Sequence, residues 1–211
     1  AITNVENSSI DREADYSIYT HVGPEVGVAS TKSFTSQLII LLSIAMKLAI
    51  SNNKISHEKY YDFIKNIKLV PNFLSKILSL NEKFINLAQF IKNSQNILYL
   101  GRGILYPLAL EGALKLKELS YIHSEGFAAG EMKHGPIALI EEGLPIIMFL
   151  TSDGMEEKSI SNLQEALTRG AEVFLISDQK NANKISFIEN KVLIPSFQDT
   201  WNDIFSPIFM S

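Results

Sequence analysis

Chemistry in this chain concentrates between Leu108 and Pro136, in the run LALEGALKLKELSYIHSEGFAAGEMKHGP. On a helix, Glu111, Lys115 and Glu118 stand at i, i+4 and i+7 and so share one narrow stripe. Carboxylates and an ammonium brought together on one stripe are candidates for chemistry, because such groups tend to have shifted pKa values. The plainer account is a solvated helix edge with an i,i+4 pair worth a few tenths of a kcal/mol. The remaining residues of that helix are largely Leu and Ala. They predict burial, and buried charges need partners. His134 follows in a loop with Gly130, Gly135 and Pro136, where backbone can approach a ligand closely. His21, His57 and His123 read as surface residues. No His, Asp and Glu spacing resembles a metal site, so no metal is expected.

Two further loops are candidates for holding an anion. Gly101-Arg102-Gly103 resembles part of a dinucleotide turn, but Tyr106 occupies the place of the third glycine. Thr151-Ser152-Asp153-Gly154 also leads a strand into a helix, although Asp153 brings a negative charge to that spot.

The elements that must position these groups alternate. Asn96–Leu100, Ile146–Leu150, Val173–Ile176 and Val192–Ile194 read as buried strands. A helix ending near Ile122 and another over Glu156–Arg169, with Gly170 just past its end, lie between them. The segment between Ile122 and Ile137 reads as a glycine-rich loop with a short element at its end. That alternation predicts an α/β fold with a parallel sheet and helices on both faces. Upstream, Ser30 or Thr31 caps a long helix from Lys32 to Ser51. Ser56, Pro71 and Asn81 open three shorter helices. A weak repeat relates Ile2-Thr3-Asn4 and Ser17-Ile18 to Ile176-Ser177-Asp178 and Leu193-Ile194, with one inserted residue.

The 211 residues carry a net charge of −4, which excludes bulk attraction to nucleic acid or an anionic membrane. With no cysteine, disulfides and thiolate chemistry are excluded within the chain. The longest apolar run, Leu38–Met46, falls short of the ~20 residues of a spanning helix, and no secretory signal is visible; a soluble cytoplasmic protein is expected.

Gly23-Pro24-Glu25-Val26-Gly27-Val28-Ala29-Ser30-Thr31-Lys32 resembles a signature of the isomerase half of the glucosamine-6-phosphate synthase family, the isomerising glutamine–fructose-6-phosphate aminotransferases. LEGALKLKELSYIH and GEMKHGP resemble two more signatures of that family, in the same order. Gly126 and Phe127 stand where the family usually has alanine and tyrosine. The resemblance implies tandem SIS domains, each a flavodoxin-like parallel sheet flanked by helices. It divides the chain into the back half of a first SIS domain (1–55), a helical connection (56–94) and most of a second (95–211). It also implies that the glutaminase domain, the front of the first SIS domain and a C-terminal tail lie outside these residues, leaving the isolated fragment inactive.

By the same resemblance, Glu118 is the base moving a proton between C1 and C2 of the open-chain sugar. Lys115 and Glu111 polarise and position that region, and Val28 and Ser30 form a substrate-contacting edge. His134 assists ring opening of fructose 6-phosphate in the neighbouring subunit of a homodimer. The implied product is glucosamine 6-phosphate, the first step of hexosamine synthesis, with no cofactor. Another double-SIS sugar-phosphate isomerase or deglycase, or a silent sugar-phosphate sensor, are the alternatives.

Overall fold

Long apolar runs set the architecture. Ile97–Leu100 and Ile146–Leu150 are 0–7% exposed, which requires a strand covered on both faces. The computed structural model, which describes residues 1–197 and 201–211, places them in the middle of a parallel sheet. Contacts divide the chain into two compact units, Ala1–Lys68 and Leu69–Ser211.

The first unit opens with β1 (Ile2–Thr3), α1 (Ser9–Glu13) and β2 (Ile18–Tyr19), followed by α2 (Lys32–Ser51) and α3 (His57–Ile67). Ile2 and Thr3 of β1 are only half-buried. Ser8 caps α1 and Ser56 caps α3, each side chain accepting a backbone N–H. Thr31 precedes α2 without a side-chain cap bond. Glu25 supplies the cap instead, its Oε1 accepting from the N–H groups of Thr31 (3.4 Å) and Ser33 (3.3 Å). The Ser33 hydroxyl, with those amides, holds the Glu25 carboxyl below its ordinary pKa. By length and composition α2 could cross a membrane. The apolar run Leu38–Met46 is bounded by Gln37 and Lys47, but the helix continues through both to twenty residues, and Ser43 satisfies its hydroxyl within it by donating to the Ile39 carbonyl.

The second unit runs α4 (Val70–Leu78), α5 (Asn81–Ile91), β3 (Asn96–Gly101), α6 (Tyr106–Ser120), β4 (His123–Ala128), β5 (Pro145–Leu150), α7 (Glu156–Thr168), β6 (Glu172–Asp178), β7 (Lys191–Ile194) and α8 (Trp201–Met210). Asn81 is the first residue of α5, not its cap, a position held by Leu80. The sheet order is β4-β3-β5-β6-β7, all parallel. The expected glycine-rich loop after Ile122 is in fact edge strand β4, in register with all of β3.

The strand order also fixes which helix lies on which face. From β3 the chain crosses to β4 on one side, and from β5 to β6 on the other, so right-handed crossovers put α6 and α7 on opposite faces. Side-chain alternation agrees. Leu98, Leu100, Ile146 and Met148 join Leu163 and Ala166 of α7 in one core, while Tyr99 and Phe149 stack at 6.4 Å on the α6 side. There Phe73, Phe197 and Phe209 stack between α4 and α8, with ring centroids 4.4–5.4 Å apart.

The two units share a local construction. β1 pairs with β2 in parallel, Ile2 opposite Ile18, and β6 pairs with β7, Leu175 opposite Lys191, a separation of 16 residues in each. The inserted residue expected from the repeat is therefore absent from the strand register. Asn4 and Asp178 just follow or end the first strand of each pair, and both use side-chain oxygens to organise the loops beyond. Asn4 Oδ1 accepts from Thr20 and the Val22 N–H. Asp178 accepts from the Ser152 N–H and hydroxyl and from Asn202.

Candidate functional site

Helix α6 carries the stripe because its other residues bind it to the sheet. Leu108, Ala109 and Ala113 are buried. The Ser124 hydroxyl of β4 donates to the Ala113 carbonyl at 2.7 Å, a fully buried bond. Gly126 lets the strand lie against the helix backbone, since a Cβ there would come within 2.8 Å of Ala109 and Leu110. The helix ends at Tyr121, left-handed at φ 61°, whose N–H returns to the Lys117 carbonyl.

On this helix Glu111, Lys115 and Glu118 come together. Lys115 Nζ lies 2.9 Å from Glu118 Oε2 and 3.5 Å from Glu111 Oε1. The three side chains are 23–34% exposed, open enough for a ligand to reach them. The hydrogen bond that Lys115 donates to Glu118, then the charge of Glu111, raise the Lys115 pKa above its ordinary value, so its ammonium persists at any physiological pH. A pocket of about 280 Å³ adjoins the stripe, lined by Tyr99, Leu108, Gly112, Leu116, Phe149 and Met210 beside Glu111 and Lys115. Tyr99 forms part of its wall, and burial pushes the phenol up to about 12. Sequence reasoning missed Tyr99 and Phe149, which in sequence looked like core positions of two strands. Gly112 was the available signal, because a Cβ there would press on the Tyr99 ring at 2.8 Å.

The expectation of a largely buried helix needs correction. Leu110, Leu114 and Leu119 are 42–61% exposed and Tyr121 is 93% exposed. One sheet can bury only one side of a helix whose apolar residues run nearly all round it.

His134 stands elsewhere. A 3-10 turn, Ala129–His134, follows β4 and packs against α7. Met132 sits wholly inside the core on the α7 face, and Lys133 pairs with Glu165 of α7 at 2.7 Å. His134 itself is exposed. The sheet thus stands between His134 and the α6 stripe of the same chain. Val28 and Ser30 belong to the first unit, in the loop before α2; Val28 is 87% exposed and Ser30 half-buried. His123 is also exposed, its Nδ1 3.1 Å from Asn96 Oδ1. Among the described residues no group of three His, Asp or Glu side chains is placed to hold a metal ion.

The arrangement can therefore offer a carboxylate and a fixed cation beside a small pocket, with a histidine presented separately. A model of the SIS domain matches residues 1–47 and 90–200. The isomerizing glutamine–fructose-6-phosphate aminotransferase of Bartonella quintana is 48% identical over 181 residues, 86% of this chain and 30% of that protein. Its counterpart in Zymomonas mobilis is 49% identical over 179 residues, 85% of this chain and 30% of that protein. The chain thus spans under a third of the length of these curated relatives. Among solved structures, the C-terminal domain of glucosamine-fructose-6-phosphate aminotransferase from Francisella tularensis superposes with a TM-score of 0.91 at 34% identity. The match covers 99% of this chain and 59% of that one.

Proposed function

The chain belongs to the SIS-domain family, and on that premise we propose that it forms the isomerase part of an enzyme making glucosamine 6-phosphate from fructose 6-phosphate and glutamine. The observation that carries this reading is the Glu111–Lys115–Glu118 cluster, in which the carboxylate of Glu118 touches the Lys115 ammonium and Lys115, with Glu111, lines a pocket.

Once ammonia has added to the open-chain ketose and water has left, the C2 imine must become a C1 aldehyde. Glu118 removes the C1 proton while the imine nitrogen takes one up, so the C1–H electron pair becomes the C1–C2 double bond of an enolamine; a proton is then returned to C2 as the C1 hydroxyl gives its proton up, which leaves the C1 aldehyde. Lys115 donates hydrogen bonds to the oxygen at C1, where charge builds. Glu111 holds Lys115 from the other side, which keeps the ammonium protonated and in place. Proton transfer beside a carbonyl asks for a base and a cation and involves no net redox step, so this half-reaction is read as needing no cofactor.

His134 opens the fructose ring, taking the proton of the anomeric hydroxyl and returning one to the ring oxygen. Because the sheet separates it from Glu118 in one chain, this reading makes the enzyme a homodimer in which each His134 serves the partner's site. By the family resemblance Val28 and Ser30 are sugar-contacting residues, and a glutaminase domain of the complete polypeptide supplies the ammonia.

The test is Glu118→Gln in the complete polypeptide, which keeps the side chain's shape and removes the base. Glucosamine 6-phosphate formation should fall about 10²–10⁴-fold, as should exchange of solvent deuterium into C1. Sugar-phosphate affinity should change far less. Near-normal exchange in this variant refutes the assignment and leaves Glu118 as a salt-bridge partner of Lys115.

A further inference from the structure

Arg102 follows β3 at the point where an open sheet of this strand order presents its crevice, between the ends of β3 and β5. Its guanidinium reaches α7, where Nη2 donates to Asn162 Oδ1 at 2.6 Å. No carboxylate pairs with it among the described residues, and its buried Nε has no partner. What faces it is backbone. A Cβ built on Gly130 would lie 3.1 Å from Nη1, 3.3 Å from Nη2 and 3.4 Å from Cζ, so the guanidinium packs into the space that a side chain at Gly130 would take, against the Cα of the turn.

Gly130 is the second residue of the 3-10 turn that ends in His134. Met132 is sunk in the core and Lys133 is tied to Glu165, so the turn is fixed in its middle. Its start is fixed by the contact with Arg102. Resting on the role proposed above for His134, we propose that Arg102 is a positioning residue for it. Clamped by Asn162, the guanidinium forms the shelf that sets the height and tilt of the 129–134 turn, and so where the imidazole is presented. A planar fork can make the amide bond to Asn162 and support a flat stretch of backbone at once; an ammonium cannot. A half-buried cation without a counter-charge is costly to keep, and this use accounts for it.

The experiment compares Arg102→Gln, Arg102→Lys, His134→Ala and the double variant R102Q/H134A in the complete polypeptide. It measures steady-state kinetics with fructose 6-phosphate and hydrogen exchange of backbone amides. Arg102→Gln should lower kcat by ~10–100-fold with KM within about twofold, since misplacement by about 1 Å is enough for such a loss. Amides of residues 129–135 should exchange about tenfold faster while those of β3, β5 and β6 keep their protection. Arg102→Lys should behave as Arg102→Gln does. In the double variant kcat should be no lower than in His134→Ala, because the two act through one group.

The proposal is overturned if the lysine variant behaves as wild type, if exchange at 129–135 is unchanged, or if the two losses multiply. Full activity in His134→Ala, or none in the parent, refutes instead the catalytic reading of His134. In that case the exchange measurement alone decides whether Arg102 holds the turn.

Discussion

Gly101 is the last residue of β3, opposite Ala128 of β4, and cannot shift sideways within the sheet. A Cβ placed on it would lie 2.1 Å from the Leu105 carbonyl oxygen, 2.5 Å from the Leu105 carbonyl carbon and 2.9 Å from the Tyr106 nitrogen. Non-bonded atoms sit comfortably at about 3.5 Å, so Gly101→Ala drives the Leu105 carbonyl back by more than ~1 Å. Leu105 is 1% exposed and Tyr106 begins α6, so the displacement passes straight into the helix that carries Glu111, Lys115 and Glu118. Overpacking of this kind costs up to about 3 kcal/mol, offset by about 0.4–1 kcal/mol from a stiffer unfolded chain. A net loss of up to about 2–2.6 kcal/mol is expected.

Gly103 is the internal comparison. It is left-handed at φ +57° with nothing within 4 Å of a built Cβ, so Gly103→Ala meets only the conformational penalty of about 1–2 kcal/mol, less the same offset. Urea unfolding followed by the fluorescence of the single tryptophan, Trp201, which is 5% exposed, measures both. A Gly101→Ala loss below about 0.5 kcal/mol, or a Gly103→Ala loss exceeding it, refutes this account of the turn.

In mixtures of His134→Ala and Glu118→Gln subunits, heterodimers should regain activity at the one site that receives both intact groups; no recovery in demonstrable heterodimers shows that His134 does not act across subunits. The Tyr99 phenol is raised from 10.0 to about 12 by burial, so its contribution is complete below pH 10 and is lost as pH climbs through 12. That amounts to about 3 kcal/mol, which Tyr99→Phe should remove from the alkaline limb of a stability–pH curve. The Lys115 pairing is likewise complete below the unfolded pKa of 10.5 and fades as pH rises through the higher folded value. In NMR titrations Glu118→Gln should lower that pKa further than Glu111→Gln, because the 2.9 Å bond dominates the 3.5 Å contact. For Glu25 the sign reverses: its cap on α2 is complete above pH 4.5 and lost as pH falls through the depressed folded value, and Glu25→Gln should flatten that acid limb.

The parts of this structure legible in sequence are those governed by local rules. Helices α2 and α7 begin and end within a residue of expectation because Gly170, at φ +90°, and the apolar spacing mark them. The central strands were legible as short apolar runs. Strand β4 was not, because His123-Ser124-Glu125-Gly126 has no β-branched residue; it becomes a strand by pairing with β3 along its whole length. The stripe on α6 followed from spacing alone. The half of the site that sequence did not show depends on topology. That His134 faces away from Glu118 follows from the opposite crossovers after β3 and β5. The tie from Arg102 to Asn162 joins residues sixty positions apart. No periodicity reports either.

Two carboxylates around one ammonium leave the stripe on α6 with a net charge of −1. A ligand carrying a phosphate at one end, with about −1.5 to −2 charges, is therefore pushed away by that end and welcomed only by its neutral hydroxyls and carbonyl. Under the function proposed above, the cluster is an orientation filter as well as a source of base and acid. On that reading it rejects the backward-facing pose before any chemistry begins and leaves the phosphate to be anchored by groups outside the stripe.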